Sequence, residues 1–170
     1  MKAVVRRAEA ADAAAVSALV QESFSEFVAH DWEPRACDLF MAQSSPERFA
    51  ASIPEAAYAA VAQAGAELAG FILLSSPSLL AFLFVRRSWL RRGVASQLWN
   101  AAREYLEAHH PEVKTVELNS SPYAVGAYRA LGFYPISEPF RRGGCLATRM
   151  ACWLPGRALA LATGGAPAIE

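Results

Sequence analysis

An apolar run, Leu79–Val85, passes directly into Arg86-Arg87-Ser88-Trp89-Leu90-Arg91-Arg92-Gly93-Val94-Ala95-Ser96, where helical periodicity begins. A strand that ends in a turn at a helix N-terminus gathers unpaired backbone N–H groups and the positive end of the helix dipole at one point. That arrangement binds anions and suits a pyrophosphate. Small residues at Gly93 and Ala95 let phosphate oxygens approach the backbone of the Gly93-Val94-Ala95-Ser96 turn, and Arg91 and Arg92 add charge-assisted donors. The stretch is not a Walker loop, because no Gly-Lys-Ser/Thr is present, and it is not G-x-G-x-x-G. Further along, Glu117 and Asn119 share one face of a short strand, since strand side chains alternate. Glu117 can act as a base directly or through water, or stand as a solvated or paired strand carboxylate. Asn119 can orient a substrate or bond backbone. The adjacent His109 and His110 cannot converge on a metal, and no C-x-x-C spacing accompanies them, so no metal site is expected. Cys145 and Cys152 read as strand residues rather than nucleophiles, and Arg141-Arg142 as the solvated end of a hairpin.

The elements that position these groups follow from periodicity. Lys2–Arg7 predicts a first strand, and Asp12 an N-cap for the helix after it. Val16, Leu19, Val20, Ser23, Phe24 and Phe27 form one helical face, which runs to about His30 and breaks at Pro34. Helices are expected over Arg35–Met41 and after Ser45-Pro46, with Phe49 and Ile53 inward. Tyr58–Ala62 and Glu67–Leu74 predict a hairpin turning at Ala64-Gly65, and Leu79–Val85 a strand buried on both faces. A helix over Gly93–His110, a strand over Thr115–Asn119, and a short helix over Ala124–Leu131 capped by Gly132 come next. Phe133–Ile136 and Cys145–Trp153 are the last strands, and the Ala/Gly/Pro-rich tail from Leu154 is expected to be loosely held. The result is one mixed α/β domain over residues 1–153 followed by a tail, 154–170, without repeats or an internal linker.

Composition narrows the function classes. Hydrophobic residues make up 54% and charged residues 19% of 170, enough to bury one large core. Acidic and basic residues balance at 16 each, which argues against a partner as anionic as nucleic acid. The longest apolar candidate, around Ala66–Val85, is broken by Glu67, Gly70 and Ser75-Ser76-Pro77-Ser78, so no membrane span is expected. Three cysteines in no paired spacing, with no secretory leader pattern, suit a reducing cytoplasm. The wealth of Ala and Arg suggests a bacterial source.

The stretch Val85–Ala95 resembles the acetyl-CoA motif of the GNAT acetyltransferases, V-x-P-x-x-Q/R-G-x-G-I/V-G/A. Val85, Gly93, Val94 and Ala95 match it, whereas Arg87, Leu90 and Arg91 stand where Pro, Gln/Arg and Gly are common. A second, closer resemblance follows in order: Asn119-Ser120-Ser121-Pro122-Tyr123-Ala124 through Tyr128 to Leu131-Gly132-Phe133 is similar to the family's N-x-S-P-Y-A-x-x-x-Y-x-x-L-G-F. The resemblance implies a GNAT-type α/β fold, a central twisted sheet of about six to seven strands flanked by helices. It implies a fifth strand splayed from the fourth, with acetyl-pantetheine in the gap.

It also implies a reaction, acetyl transfer from acetyl-CoA to a primary amine of a small molecule, protein or peptide. A thioester meeting an amine needs a neutral amine, although a free alkylamine has a pKa near ~10.4. It needs a donor for the carbonyl oxygen and a proton for the departing thiolate. By resemblance, Tyr128 is the general acid toward sulfur, and a backbone N–H near Val85 meets the carbonyl. Arg91, Arg92, Gly93, Val94, Ala95 and Ser96, with Asn119 and Ser121, would hold the cofactor, and Glu117 is the candidate base. The family's first helices border the acceptor pocket, which makes His30, Asp31 and Trp32 candidate substrate residues, an acidic and aromatic rim suited to a cationic amine. A monomer or homodimer is expected, with no metal. Two other readings share the fold: an acyl-CoA-binding regulatory module without turnover, and a structural or interaction protein that binds no CoA.

Overall fold

The computed structural model describes residues 1–154. In chain order it contains β1 (Val4–Arg7), α1 (Ala13–Phe27), α2 (Pro34–Gln43), α3 (Pro46–Glu55), β2 (Tyr58–Ala64), β3 (Glu67–Ser76), β4 (Leu79–Val85), α4 (Val94–His109), β5 (Thr115–Ser120), α5 (Val125–Ala130), β6 (Phe133–Pro135), β7 (Phe140–Arg142) and β8 (Cys145–Trp153). Short 3-10 turns lie at Ala10–Asp12, Ala29–Asp31 and Arg87–Trp89. The strands form one sheet in the order β1-β2-β3-β4-β5-β8-β6, with β7 also pairing β8. All neighbours are antiparallel except β4 and β5, which are parallel and joined through α4.

Alternation along the strands divides the core between the two faces of the sheet. On one face, Val61, Phe71 and Leu73 pack against Val16, Leu19 and Val20 of α1 and Phe49 and Ile53 of α3. On the other, Ala60, Ile72, Leu74, Val116 and Met150 pack against Leu98, Trp99, Ala102 and Leu106 of α4. Helix α4 approaches β3 so closely that a Cβ on Gly70 would lie 2.9 Å from Val94 Cγ1 and 3.1 Å from the Phe84 carbonyl oxygen. Helix α3 begins as its sequence requires, with the Ser45 hydroxyl accepting from the Arg48 N–H at 3.3 Å and Pro46 in the first turn.

Several boundaries differ from the sequence expectation for physical reasons. Helix α1 stops at Phe27 and the chain tightens into a 3-10 turn over Ala29–Asp31. Asp12 makes no side-chain cap for α1. Its carboxylate accepts from both terminal nitrogens of Arg6, at 2.8 and 2.7 Å, and from the Glu9 N–H at 2.9 Å. The hairpin end Arg141-Arg142 belongs to an eighth strand, β7, because Phe140–Arg142 pairs with Cys145–Ala147. Leu154, where the tail was expected to begin, is 6% exposed, and its N–H donates to the Lys114 carbonyl at 2.8 Å. The rest of that expected tail lies outside the described residues.

Strand β4 is not buried on both faces. Its residues are half-buried or exposed, with Leu80 alone in the core. The cause is its relation to β5. The two strands share one register pair, Leu79 with Glu117, fixed by the Glu117 N–H donating to the Ser78 carbonyl at 2.8 Å. Two register shifts against β3, at Leu73/Leu74 and Leu74/Ser76, bend β4 at this end. Beyond it, β4 stays with β3 to the pair Gly70–Val85, while β5 stays with β8. The sheet opens between them. Among the described residues, no helix is long and apolar enough to cross a membrane.

Candidate active site

The opening is a cleft of about 780 Å³ that passes through the sheet. Its walls are β4 and β5, with α1, α5 and the β7–β8 hairpin around them. Alternation gives it two sides. Leu83 and Val85 pack with the α4 core, as do Tyr128 and Leu131 of α5. Phe84 packs with the opposite core, where Phe40 meets it and stacks in turn on Phe24. Glu117 and Asn119 face that second side, because Val116 and Leu118 between and beside them belong to the α4 core.

On the α4 side the chain presents backbone donors. The Arg86 N–H donates to Ala69 of β3 at 2.9 Å. Peptide groups alternate along a strand, so the N–H and C=O of Val85 point away from β3 into the gap. The Val85 carbonyl there lies 3.5 Å from the Ser23 hydroxyl. After the turn Arg87–Trp89, Arg91 and Gly93 both take positive φ, 61° and 77°. Arg91 therefore adopts the left-handed conformation that glycine commonly supplies, the position where the related motif carries Gly. Gly93 is required by its φ alone, because a Cβ there would meet nothing within 4 Å. It is the N-cap of α4 and supplies no side-chain cap. The first N–H groups of the helix are consequently left for a ligand.

The side chains of this turn divide into two sets. Arg86 pairs with Glu22 at 2.7 Å and Glu67 at 3.3 Å, and Arg87 pairs with Glu26. These ion pairs tie the turn to α1 and β3. Arg91 and Arg92 are exposed, and Arg92 lies over the Trp89 ring at 5.2 Å. Val94 is 2% exposed and belongs to the core, so its contribution to a ligand is its N–H. Leu90 and Ala95 line the cleft, whereas the exposed Ser96 side chain does not.

Tyr128 lines the cleft from α5, its ring edge-on to Phe133 at 5.5 Å. Its hydroxyl makes no hydrogen bond to protein among the described residues. Burial holds its phenol well above the ordinary value, so it stays protonated and able to donate. Asn119 and Ser121 also line the cleft. Tyr123 stacks on Phe27 with ring centres 4.6 Å apart, linking the turn before α5 to the end of α1.

The second side is aromatic and basic. Glu117 is its one carboxylate among the described residues, and it is held by Arg149. Arg149 Nε donates to Glu117 Oε2 at 2.9 Å and Nη2 donates to the same oxygen, which leaves Oε1 without a hydrogen bond. Trp32 lines the cleft, fixed by its Nε1 donating to the Leu146 carbonyl at 3.3 Å. His30 and Asp31 do not. They face each other at 3.3 Å within the 3-10 turn that follows α1. The acidic rim expected from them is absent among the described residues. Sequence reasoning also missed Arg142 and Arg149, which enter the cleft because their hairpin docks on α2, with the Glu33 N–H donating to the Gly144 carbonyl at 2.9 Å. Burial pushes the Cys145 thiol, which borders the cleft, above its usual range, so it is not a ready thiolate. No group of three metal-ligating side chains occurs among the described residues.

A splayed parallel strand pair, a helix N-terminus at one end of the gap and a half-buried phenol across it define an acyl-transferase architecture. The model of the acetyltransferase (GNAT) domain matches residues 28–154, and the chain belongs to the GNAT acetyltransferase family. Solved structures share the fold. A GCN5-related N-acetyltransferase from Rhodopseudomonas palustris superposes with a TM-score of 0.77 at 20% identity, over 91% of this chain and 97% of that one. The PaiA N-acetyltransferase of Thermoplasma acidophilum, in complex with coenzyme A, gives 0.73 at 17% identity, over 90% and 99%. The ribosomal-protein-S18-alanine N-acetyltransferase of Escherichia coli gives 0.62 at 19% identity, over 89% and 94%. No curated protein sequence matches the chain significantly.

Proposed function

We propose that this protein transfers the acetyl group of acetyl-CoA to a primary amine, acting in the cytoplasm. The observation that carries the reading is the gap between β4 and β5, with donors of the required kind at its edges. The N–H groups of Gly93, Val94, Ala95 and Ser96 meet the pyrophosphate, and Arg91 and Arg92 add positive charge at the mouth. Ser121 supplies a polar contact just beyond the end of β5, whereas Asn119, on the same face as Glu117, borders the acceptor side. Bound there, acetyl-CoA supplies an activated thioester.

The chain's own groups do the rest. The Val85 N–H donates to the thioester oxygen as negative charge builds on it, a fixed donor that needs no reorganisation. Tyr128 gives its proton to the departing sulfur, a role its raised pKa permits at any physiological pH. Glu117 Oε1, unoccupied by Arg149, accepts the amine proton directly or through water. Because β4 separates the two sides, the thioester and the amine approach each other only through the opening beside Val85.

The test is calorimetric titration of acetyl-CoA into the protein and into Gly93→Glu. The substitution forces an L-residue into positive φ at about 1–2 kcal/mol and adds a negative charge where phosphates should sit. Saturable binding to the parent protein and its loss in a folded variant are expected. Binding that survives the substitution would remove the α4 turn from the site.

A further inference from the structure

We infer that the acceptor is a small amine carrying its own carboxylate on an apolar or aromatic body, and that Arg142 receives that carboxylate; this rests on the acetyl-transfer reading above. The observation is the charge balance of the acceptor side. Three charged side chains line the cleft: Glu117, Arg142 and Arg149. Glu117 and Arg149 cancel each other through one carboxylate oxygen. Arg142 is left over. It makes no hydrogen bond or ion pair among the described residues, and its contact is the face of Phe140, 5.9 Å from the ring centre.

The sheet register places this guanidinium on the acceptor side. Arg142 pairs with Cys145, Phe140 with Ala147, and Asn119 with Arg149 across β8. Opposed residues share a face and alternate residues return to it, so Arg142, Cys145, Ala147, Arg149 and Asn119 stand together. The phosphate-binding turn leads into α4 on the other face, so Arg142 is not placed to serve it.

The chemistry follows from what surrounds Arg142. Phe24, Trp32, Phe40, Phe84 and Phe140 make the side apolar, and Arg142, exposed at its rim against Phe140, offers an anion an unpaired guanidinium beside that apolar wall. A planar guanidinium receives a carboxylate through two parallel bonds and so fixes orientation as well. A purely cationic amine meets the opposite field. The one carboxylate lining the cleft among the described residues, Glu117, is already shared with Arg149, and the surplus positive charge of Arg142 weakens capture of the ammonium form from solution. An amino acid with an apolar side chain satisfies all three features.

Matched acceptors test this. Phenylalanine is compared with phenethylamine, and leucine with 3-methylbutylamine, by release of CoA thiol at saturating acetyl-CoA, in the parent protein and in Arg142→Gln. The carboxylate-bearing member of each pair should have the higher kcat/KM. Its advantage should fall by about 10- to 100-fold in the variant, the worth of a charge-assisted pair. Arg142→Lys should restore part of it. Acetyl-CoA affinity, measured by calorimetry, should not change in either variant. Preference for the decarboxylated amines, an unchanged ratio in Arg142→Gln, or no turnover of any of the four despite intact acetyl-CoA binding would overturn the inference while leaving acetyl transfer standing. Weakened acetyl-CoA binding in the variant would reassign Arg142 to the cofactor and overturn it as well. Absence of acetyl-CoA binding to the parent protein would instead remove the acetyl-transfer reading on which it rests.

Discussion

Replacing Tyr128 by Phe isolates one oxygen. The Tyr128 hydroxyl bonds to no protein group among the described residues, so its loss leaves no buried partner unsatisfied. The ring contact with Phe133 at 5.5 Å is retained. Stability should therefore change by less than about 0.5 kcal/mol. The thiolate that leaves has a pKa of roughly 8.5 by analogy with cysteine, so departure without a proton is possible but slower. A positioned general acid contributes on the order of 10²–10⁴-fold. Because the leaving group is a fair one, the lower half applies, and kcat should fall about 10²–10³-fold, or roughly 3–4 kcal/mol of barrier. Thiol release in single-turnover and steady-state modes measures kcat; calorimetry checks that acetyl-CoA affinity stays within a few-fold. The pH profile adds a second reading. Since burial raises the phenol pKa, deprotonation that would disable the acid moves to higher pH, and no basic limb from Tyr128 should appear below about pH 10. A fall in kcat of less than threefold, or a basic limb near neutrality that vanishes in the variant, would refute the role.

Two further outcomes concern the frame that holds the site. Gly70→Ala puts a methyl 2.9 Å from Val94 Cγ1, 3.0 Å from Leu98 Cδ1 and 3.1 Å from the Phe84 carbonyl oxygen. The last cannot move without shifting β4. Overpacking of about 1–3 kcal/mol is expected, seen as a lower Tm, together with weaker acetyl-CoA binding as α4 is pushed outward; an unchanged Tm would show that α4 yields freely. For Asp12→Asn, Arg6 hydrogen bonds hold the Asp12 carboxyl below its ordinary range. A depressed folded-state pKa stabilises above the unfolded value of about 3.9 and is lost as pH falls through the folded one. Arg6 is 40% exposed, so the variant should lose only about 0.5–1 kcal/mol at pH 7. The difference between the two melting curves should close in acid; a gap that persists at the lowest pH would mean the carboxylate's charge is not its source.

Most elements were legible because their signals are local. The helical face of α1 from Val16 to Phe24 is buried as its spacing requires, and the bounds of β4 and β8 agree with the sequence. The turn at Gly93 and the Asn119–Phe133 stretch could be read because one short segment carries each whole arrangement: strand end, turn and helix start. Strand β7 escaped notice because three residues, Phe140–Arg142, have too little periodicity to read. Trp99 of α4 is 1% exposed against Phe133, a burial its type does not announce, since a tryptophan on a helix reads equally as a half-exposed residue.

Alone, the sequence determined the family, the α/β alternation, the turn at the start of α4 and the short helix that carries Tyr128. These depend on contacts between residues close in the chain. Tertiary structure decided the rest. The gap exists because β4 follows β3 and β5 follows β8, pairings set between segments far apart in sequence. His30 and Asp31 fall in the 3-10 turn after α1 and do not line the cleft, and Arg142 enters it because β7 pairs with β8 and Gly144 docks on Glu33. Charge is additive along a chain but a site feels only the charges the fold brings within a few ångströms. That is why a chain with no net charge can place one unpaired guanidinium, Arg142, at the edge of its cleft.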